Sequence, residues 1–277
     1  MSAIHAVMST LFAVATLGTT VTAHATNGDA TLRADLERIA QKRIFFGHQS
    51  VGVNLLDGVE QLAMKAGIPV RIVEIKSASD VMPATIGHTF VARNGDPFQK
   101  LQSFEHAMGS HSTGLDIAFV KFCFVDITQE TDVKALFASY RNTISGLRAI
   151  NPGTTFVHVT APLTIVQGGL KASLKKLLGH PPYGMIENMR REEYNTLLRQ
   201  AYQGQEPVFD LARIESTAPN GTAISVEWNG KKVPVMDPAN TDDGGHLSAA
   251  GKQRAARELI SVLASIPDRP VPGKTPR

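Results

Sequence analysis

The chain has 277 residues, 43% of them hydrophobic and 19% charged, enough to bury a full core without help from disulfides. Its net charge of +3, with no Lys/Arg run and no interleaving of basic and aromatic residues, excludes a nucleic-acid groove as the main function. A single cysteine, Cys123, excludes an intrachain disulfide, and its apolar surroundings read as those of a buried, inert thiol.

In chain order, Val7 to Val21 is apolar and uncharged but too short and too rich in small residues for a membrane span. Ala23-His24-Ala25 and a polar stretch follow it. The pattern predicts a secretory signal peptide over 1–25, cleaved after Ala25, although the amino terminus and His5 are the only polar features ahead of the apolar stretch besides Ser2. The expected destination is the periplasm or the exterior, with no membrane span after cleavage. No linker divides the remainder, so one domain is expected over 32–266, followed by a disordered Pro- and charge-rich tail over 267–277.

Within that domain, apolar runs of strand length alternate with segments of helical period. Strands are expected at Arg43–Phe46, Val70–Ile75, Ile117–Val125, Thr155–Thr160 and Pro207–Leu211. Helical stripes run from Leu55 to Ala66, ended by Gly67, then from Val133 to Ile150, from Ile186 to Tyr202 and from Ser248 to Ala264. Such alternation predicts a doubly wound α/β sheet with right-handed crossovers. Thr222–Val235, centred on Asn229-Gly230, reads as a β-hairpin insertion.

Two short segments carry the chemistry. Gly47-His48-Gln49-Ser50 follows the first strand, which puts the Ser50 hydroxyl at the mouth of an open α/β sheet, although a simple helix cap fits the same place. Asp243-Gly244-Gly245-His246 precedes the last helix, with a carboxylate three residues from an imidazole, the groups that activate a serine. Asp242 competes with Asp243 as the partner. The remaining histidines show no metal-ligand spacing, so neither metal nor cofactor is expected.

Those segments resemble the SGNH, or GDSL-type, hydrolase superfamily. Asp243-x-x-His246-Leu247 with Gly251 behind it resembles that family's closing motif. The resemblance implies a flavodoxin-like three-layer α/β/α fold with a mainly parallel five-stranded sheet. It also implies Ser50 as nucleophile, His246 as general base and Asp243 as the carboxylate orienting it. The family's G-D-S is replaced by Gly47-His48-Gln49-Ser50. Asn94-Gly95, after the second expected strand, would match the motif whose glycine amide serves the oxyanion. The third motif would fall at Cys123-Phe124-Val125-Asp126, where Asp126 fits and the oxyanion-binding Asn is absent. Asn94, Gln49 and Lys121 are the candidates to replace it. Lys121, a charge in an apolar strand, needs a partner, with Asp126 or Asp210 in reach. His48 would either hydrogen-bond substrate or serve only the turn.

The expected function is an exported serine esterase or O-acyltransferase acting on a small-molecule or glycan ester, carbohydrate or lipid, with no obligate protein partner. The alternative is a glycan- or ligand-binding protein on the same scaffold without catalysis.

Overall fold

A computed structural model describes residues 20–109 and 114–268. Most of the expected signal peptide, the tail beyond Asp268 and His111 lie outside the described residues. Helix α1 (Thr20–Ile39) runs through Ala25 and packs Leu32, Leu36 and Ile39 into the core. At the other end, the Asp268 carboxylate accepts from Lys42 Nζ at 2.7 Å.

Strand β1 (Arg43–His48) leads into α2 (Ser50–Ala66), then β2 (Arg71–Glu74), β3 (Thr85–Phe90), α3 (Pro97–Met108) and β4 (Ile117–Val120). Next come α4 (Val133–Ile150), β5 (Thr155–Phe156), β6 (His158–Val159), α5 (Gly169–Leu177) and α6 (Met185–Tyr202). The chain closes with β7 (Val208–Phe209), α7 (Leu211–Glu215), the strands β8 (Ser225–Trp228) and β9 (Lys231–Pro234), and α8 (Ala249–Ser265).

The central sheet has five parallel strands in the order β2-β3-β1-β4-β5. Two apolar layers flank it. Ile44 and Phe46 of β1 face a core built with α1, α2, α7 and α8, while Phe45 faces a second core with α3, α4 and α6. That is the pleat of one strand buried on both faces. The architecture is the three-layer α/β/α fold with a mainly parallel five-stranded sheet that the resemblance implied.

The membership of the sheet differs from expectation. β3 was not anticipated, because Thr85-Ile86-Gly87-His88-Thr89-Phe90 has no apolar run. Its Gly87 leaves no room for a side chain beside Ile75 and Val81. β3 inserts between β2 and β1, so Asn94-Gly95 follows the third strand rather than the second. The expected strand Thr155–Thr160 is broken at Val157, whose N–H still donates to Ala118 O at 3.1 Å. β7 therefore pairs with β6 instead of entering the five-stranded sheet. The strand expected over Ile117–Val125 ends at Val120, because the Asp126 carboxylate takes the Cys123 N–H at 2.5 Å and turns the chain into a 3-10 turn at Phe124–Asp126. The hairpin forms as expected. Asn229 and Gly230 both have positive φ, 49° and 74°, which a two-residue turn matched to the twist of its strands requires.

Candidate active site

Ser50 is the first residue of α2, immediately beyond the carboxyl end of the central strand β1. The first amides of a helix have no intrahelical acceptor, so the hydroxyl sits at the positive end of the helix dipole, where the Gly52 amide already donates to Gln49 O at 2.7 Å. Val51 and Gly52 are buried, which leaves Ser50 as the part-exposed polar group of that turn.

His246 arrives from the opposite end of the chain. An antiparallel bridge between Thr241 and Leu247 closes a small loop, and Thr241 Oγ1 accepts from Gly244 N at 2.9 Å inside it. Asp243 Oδ1 accepts from the amides of Gly245 and His246 at 2.9 and 2.7 Å. Its other oxygen, Oδ2, lies 2.6 Å from His246 Nδ1. His246 Nε2 then lies 3.0 Å from Ser50 Oγ. Leu247 N donates to Asn54 Oδ1 at 3.1 Å, tying this loop to the first turns of α2. Ser50, His246 and Asp243 therefore form one continuous hydrogen-bonded chain across 196 residues of sequence. Asp242 takes no part in it.

Packing of α2 against α8 sets that alignment. A side chain at Gly58 would meet Lys252 O at 2.6 Å and Ala256 Cβ at 2.7 Å, so the two helices cross with backbone nearly in contact. Lys252 Nζ reaches Asp57 at 2.9 Å on the same crossing. Ser248 caps α8 by accepting from Gly251 N, fixing where the loop ends and the helix begins.

The charges in the site have clear causes. The amides of His246 and Gly245, with the imidazole, hold the Asp243 carboxyl well below the usual range, so it is ionised. An ionised Asp243 on Nδ1 fixes the tautomer with a bare Nε2 facing Ser50.

The other expected site residues are placed less directly, and several are occupied. Gly95 N donates to Asp126 Oδ1 at 2.8 Å, so this amide is committed within the protein. Asp126 is fully buried, and its Oδ2 also accepts from buried Lys100 Nζ at 2.6 Å. Lys100 in turn donates to Asn94 Oδ1 at 2.7 Å. Gln49 Nε2 donates to the carbonyls of Val91 and Ala92, each at 2.6 Å, which stitches the Ser50 turn to the loop carrying Asn94. Gln49 is thus a tie and not a free donor.

His48 is fully buried behind the serine turn. Its Nδ1–H donates to Gln49 O at 2.9 Å and its Nε2 accepts from His88 Nδ1–H at 3.0 Å. Burial, partly offset by the Gln49 carbonyl, pushes its pKa down to about 3, so the ring is neutral. It supports the turn and does not face a ligand. Lys121 is fully buried with Nζ donating to Phe122 O at 2.7 Å. The carboxylates expected for it are taken, Asp126 by Lys100 and Asp210 by Arg199. Burial lowers its pKa.

Sequence reasoning missed Lys100, Glu215 and Arg191. The signal for Lys100 was present, since it shares the buried stripe Pro97, Leu101, Phe104 and Ala107 of α3. Glu215 is fully buried, accepts from Leu163 N at 2.6 Å, and burial pushes its pKa up to about 8. Arg191 borders a cleft of about 680 Å³ beside His246, with Phe124, Ile165 and Tyr183 among its apolar walls. Its guanidinium is fixed by Phe124 O, Thr164 Oγ1 and Asn188 Oδ1 at 2.7–2.9 Å. Cys123 Sγ stands 4.0 Å from Ser50 Oγ. Among the described residues, no three His, Cys, Asp or Glu side chains are grouped to hold a metal.

The three-layer α/β/α architecture carries β3 between β2 and β1 and Gly47-His48-Gln49-Ser50 at the serine turn. No protein-family profile and no curated protein matches the sequence. Solved structures match it distantly. One, provisionally described as a platelet activating factor from Streptococcus pneumonia, is 13% identical, with 88% of this chain and 96% of that one covered and a TM-score of 0.49. A Clostridium thermocellum family 3 carbohydrate esterase is 13% identical over 80% of this chain and 96% of its own, with a TM-score of 0.45. A protein from Desulfitobacterium hafniense DCB-2, provisionally described as lipolytic and of the G-D-S-L family, is 7% identical over 79% of this chain and 99% of its own, with a TM-score of 0.45. At these values the likeness is one of architecture alone.

Proposed function

We propose that this protein is a serine esterase, with the hydrogen-bonded chain Ser50–His246–Asp243 as the observation that carries the reading. His246 Nε2 takes the Ser50 proton as Oγ bonds to the ester carbonyl carbon. The carbonyl π electrons become the oxyanion. On collapse the C–O bond to the alcohol breaks, and the leaving alkoxide takes the proton back from Nε2. Water, or an acceptor hydroxyl in a transferase, then repeats the cycle on the acyl-serine with His246 again the base.

The oxyanion donors in this reading are the Ser50 and Val51 amides that open α2 and the Asn94 side chain. Gly95 is set aside because Asp126 already holds its amide. Asn94 is supported by elimination and position. Its Oδ1 is taken by Lys100, leaving Nδ2 as the end available to a ligand. Asp126 ties its neighbour Gly95 to Cys123, whose sulfur lies 4.0 Å from Ser50 Oγ. The substrate is a carbohydrate or lipid ester seated in the cleft beside His246, and the export signal expected over 1–25 would deliver the enzyme to the periplasm or the exterior.

The test is labelling of the protein by a serine-reactive fluorophosphonate, together with hydrolysis of p-nitrophenyl acetate. Ser50→Ala is expected to abolish labelling and to lower kcat by about 10⁴–10⁶. Equal activity of Ser50→Ala and wild type would end the reading. The occupied Gly95 amide favours the second reading, a non-catalytic glycan-binding protein, which a glycan array with unlabelled, inactive wild type would support.

A further inference from the structure

The excursion between β6 and α6 carries a feature that the proposed chemistry does not use. Leu170, Leu174, Leu177 and Leu178 are 91%, 57%, 83% and 64% exposed. Together with Ile165 and Tyr183 they make up half of the large apolar side chains exposed among the described residues. At 3.6 residues per turn the four leucines fall on one stripe about 100° wide, the width that normally packs against a core. Leu178 N donates to Leu174 O at 3.1 Å, so the last of them continues the turn of α5. Ala172, on the opposite side of the helix, is the one that packs against the protein. The stripe is thus turned outward.

Charge says what would cover it. From Val166 to Pro182 the sequence holds Lys171, Lys175 and Lys176 and no Asp or Glu. An apolar stripe flanked on one side by Lys171 and Lys175, in a segment free of acids, is the pattern of a helix lying in the plane of an anionic lipid surface, with the leucines among acyl chains and those lysines toward the headgroups.

Placement connects this face to the site. Gln167 N donates to Tyr183 O at 3.0 Å, clipping the two ends of the excursion together at its base. Ile165 N donates to Gly244 O at 3.0 Å, joining that base to the loop of Asp243 and His246. Ile165, Gln167 and Tyr183 also line the cleft beside His246.

We infer that α5 docks the protein on an anionic lipid surface and presents the cleft to lipid-borne esters. The docking stands by itself; only the word ester rests on the esterase reading. It is tested on Ser50→Ala protein, which separates the two. An environment-sensitive dye is placed on Ser173→Cys, on an exposed flank of α5, the native Cys123 being buried. The expected result is a blue shift with phosphatidylglycerol/phosphatidylcholine vesicles, reversed by high salt, and none with phosphatidylcholine alone. No shift with anionic vesicles overturns the inference. In a catalytically intact background, Leu170→Asp/Leu174→Asp/Leu177→Asp should lower hydrolysis of a vesicle-embedded ester about tenfold or more and leave p-nitrophenyl acetate turnover unchanged. Equal loss on both substrates also overturns it, as does a wild-type dimer in sedimentation velocity that the triple substitution dissociates without any vesicle binding. If the dye shifts and wild type hydrolyses neither ester, the docking holds and the esterase reading falls.

Discussion

The Gly95 amide and the Asp126 carboxylate are joined by a hydrogen bond of 2.8 Å, inside a buried cluster that includes Lys100 and the Cys123 amide. The glycine expected to serve the oxyanion instead anchors a loop. Asp126 and Lys100 are both fully buried, so each depends on the other for its charge. Asp126→Ala would strand the ammonium and is expected to lower stability by about 3–5 kcal/mol, read from urea unfolding. Replacing both by apolar residues, Asp126→Leu with Lys100→Met, should recover part of that loss. A single Asp126→Ala as stable as wild type would show that the pair has no such dependence.

Asn94 separates two roles within one side chain. Asn94→Asp keeps an oxygen for Lys100 but removes the Nδ2 donor. If Nδ2 serves the oxyanion, kcat should drop by about 10²–10³ with KM little changed. Thermal stability should change little, because the Lys100 bond is retained. An unchanged kcat would move the oxyanion entirely to the amides of α2.

Asp243 is held ionised well below the usual carboxylate range by two backbone amides and the imidazole. Its own titration should therefore not enter the working pH range. kcat/KM is expected to rise with pH along a single acid limb of unit slope, with no second limb from Asp243. Asp243→Asn removes the fixed tautomer and should lower kcat by about 10⁴. A wild-type acid limb of slope two would show that a second group, absent from this reading, must also ionise.

His48 links pH to stability. Its folded pKa is pushed down to about 3, against an unfolded value of about 6.5. Between those values the unfolded chain binds more protons, so stability must rise with pH across that window and be lost as pH falls. His88, whose pKa burial also lowers, adds in the same direction. His48→Asn should flatten the climb of Tm between about pH 3 and 6.5, measured by calorimetry. A slope equal to wild type would contradict the neutral, buried ring.

Gly58 tests whether helix packing sets the reactive geometry. A methyl group there would press on Lys252 O at 2.6 Å. Gly58→Ala should part α2 from α8, costing about 1–3 kcal/mol of stability. It should also reduce kcat more than KM, since Ser50 opens α2 and the loop of His246 leads into α8. Loss of stability with full kcat would separate the packing from the chemistry.

The sequence by itself determined the alternation of buried strands and amphipathic helices, the Asn229-Gly230 hairpin, and the Asp243-x-x-His246 loop ahead of a capped helix. Each is written in local spacing, in a period, a turn residue or a cap, and needs no knowledge of distant partners. It could not reveal β3, whose polar residues and Gly87 become a strand only between β2 and β1. Nor could it say that Lys121 would donate to the Phe122 carbonyl, or that Lys100 would claim Asp126 first. Those outcomes depend on which groups the sheet and helices bring together once desolvated. A buried charge takes the partner that can satisfy it within about 3 Å, whatever its place in the chain. The 3.0 Å between Ser50 and His246 is likewise a tertiary outcome, reached where α2 and α8 cross closely.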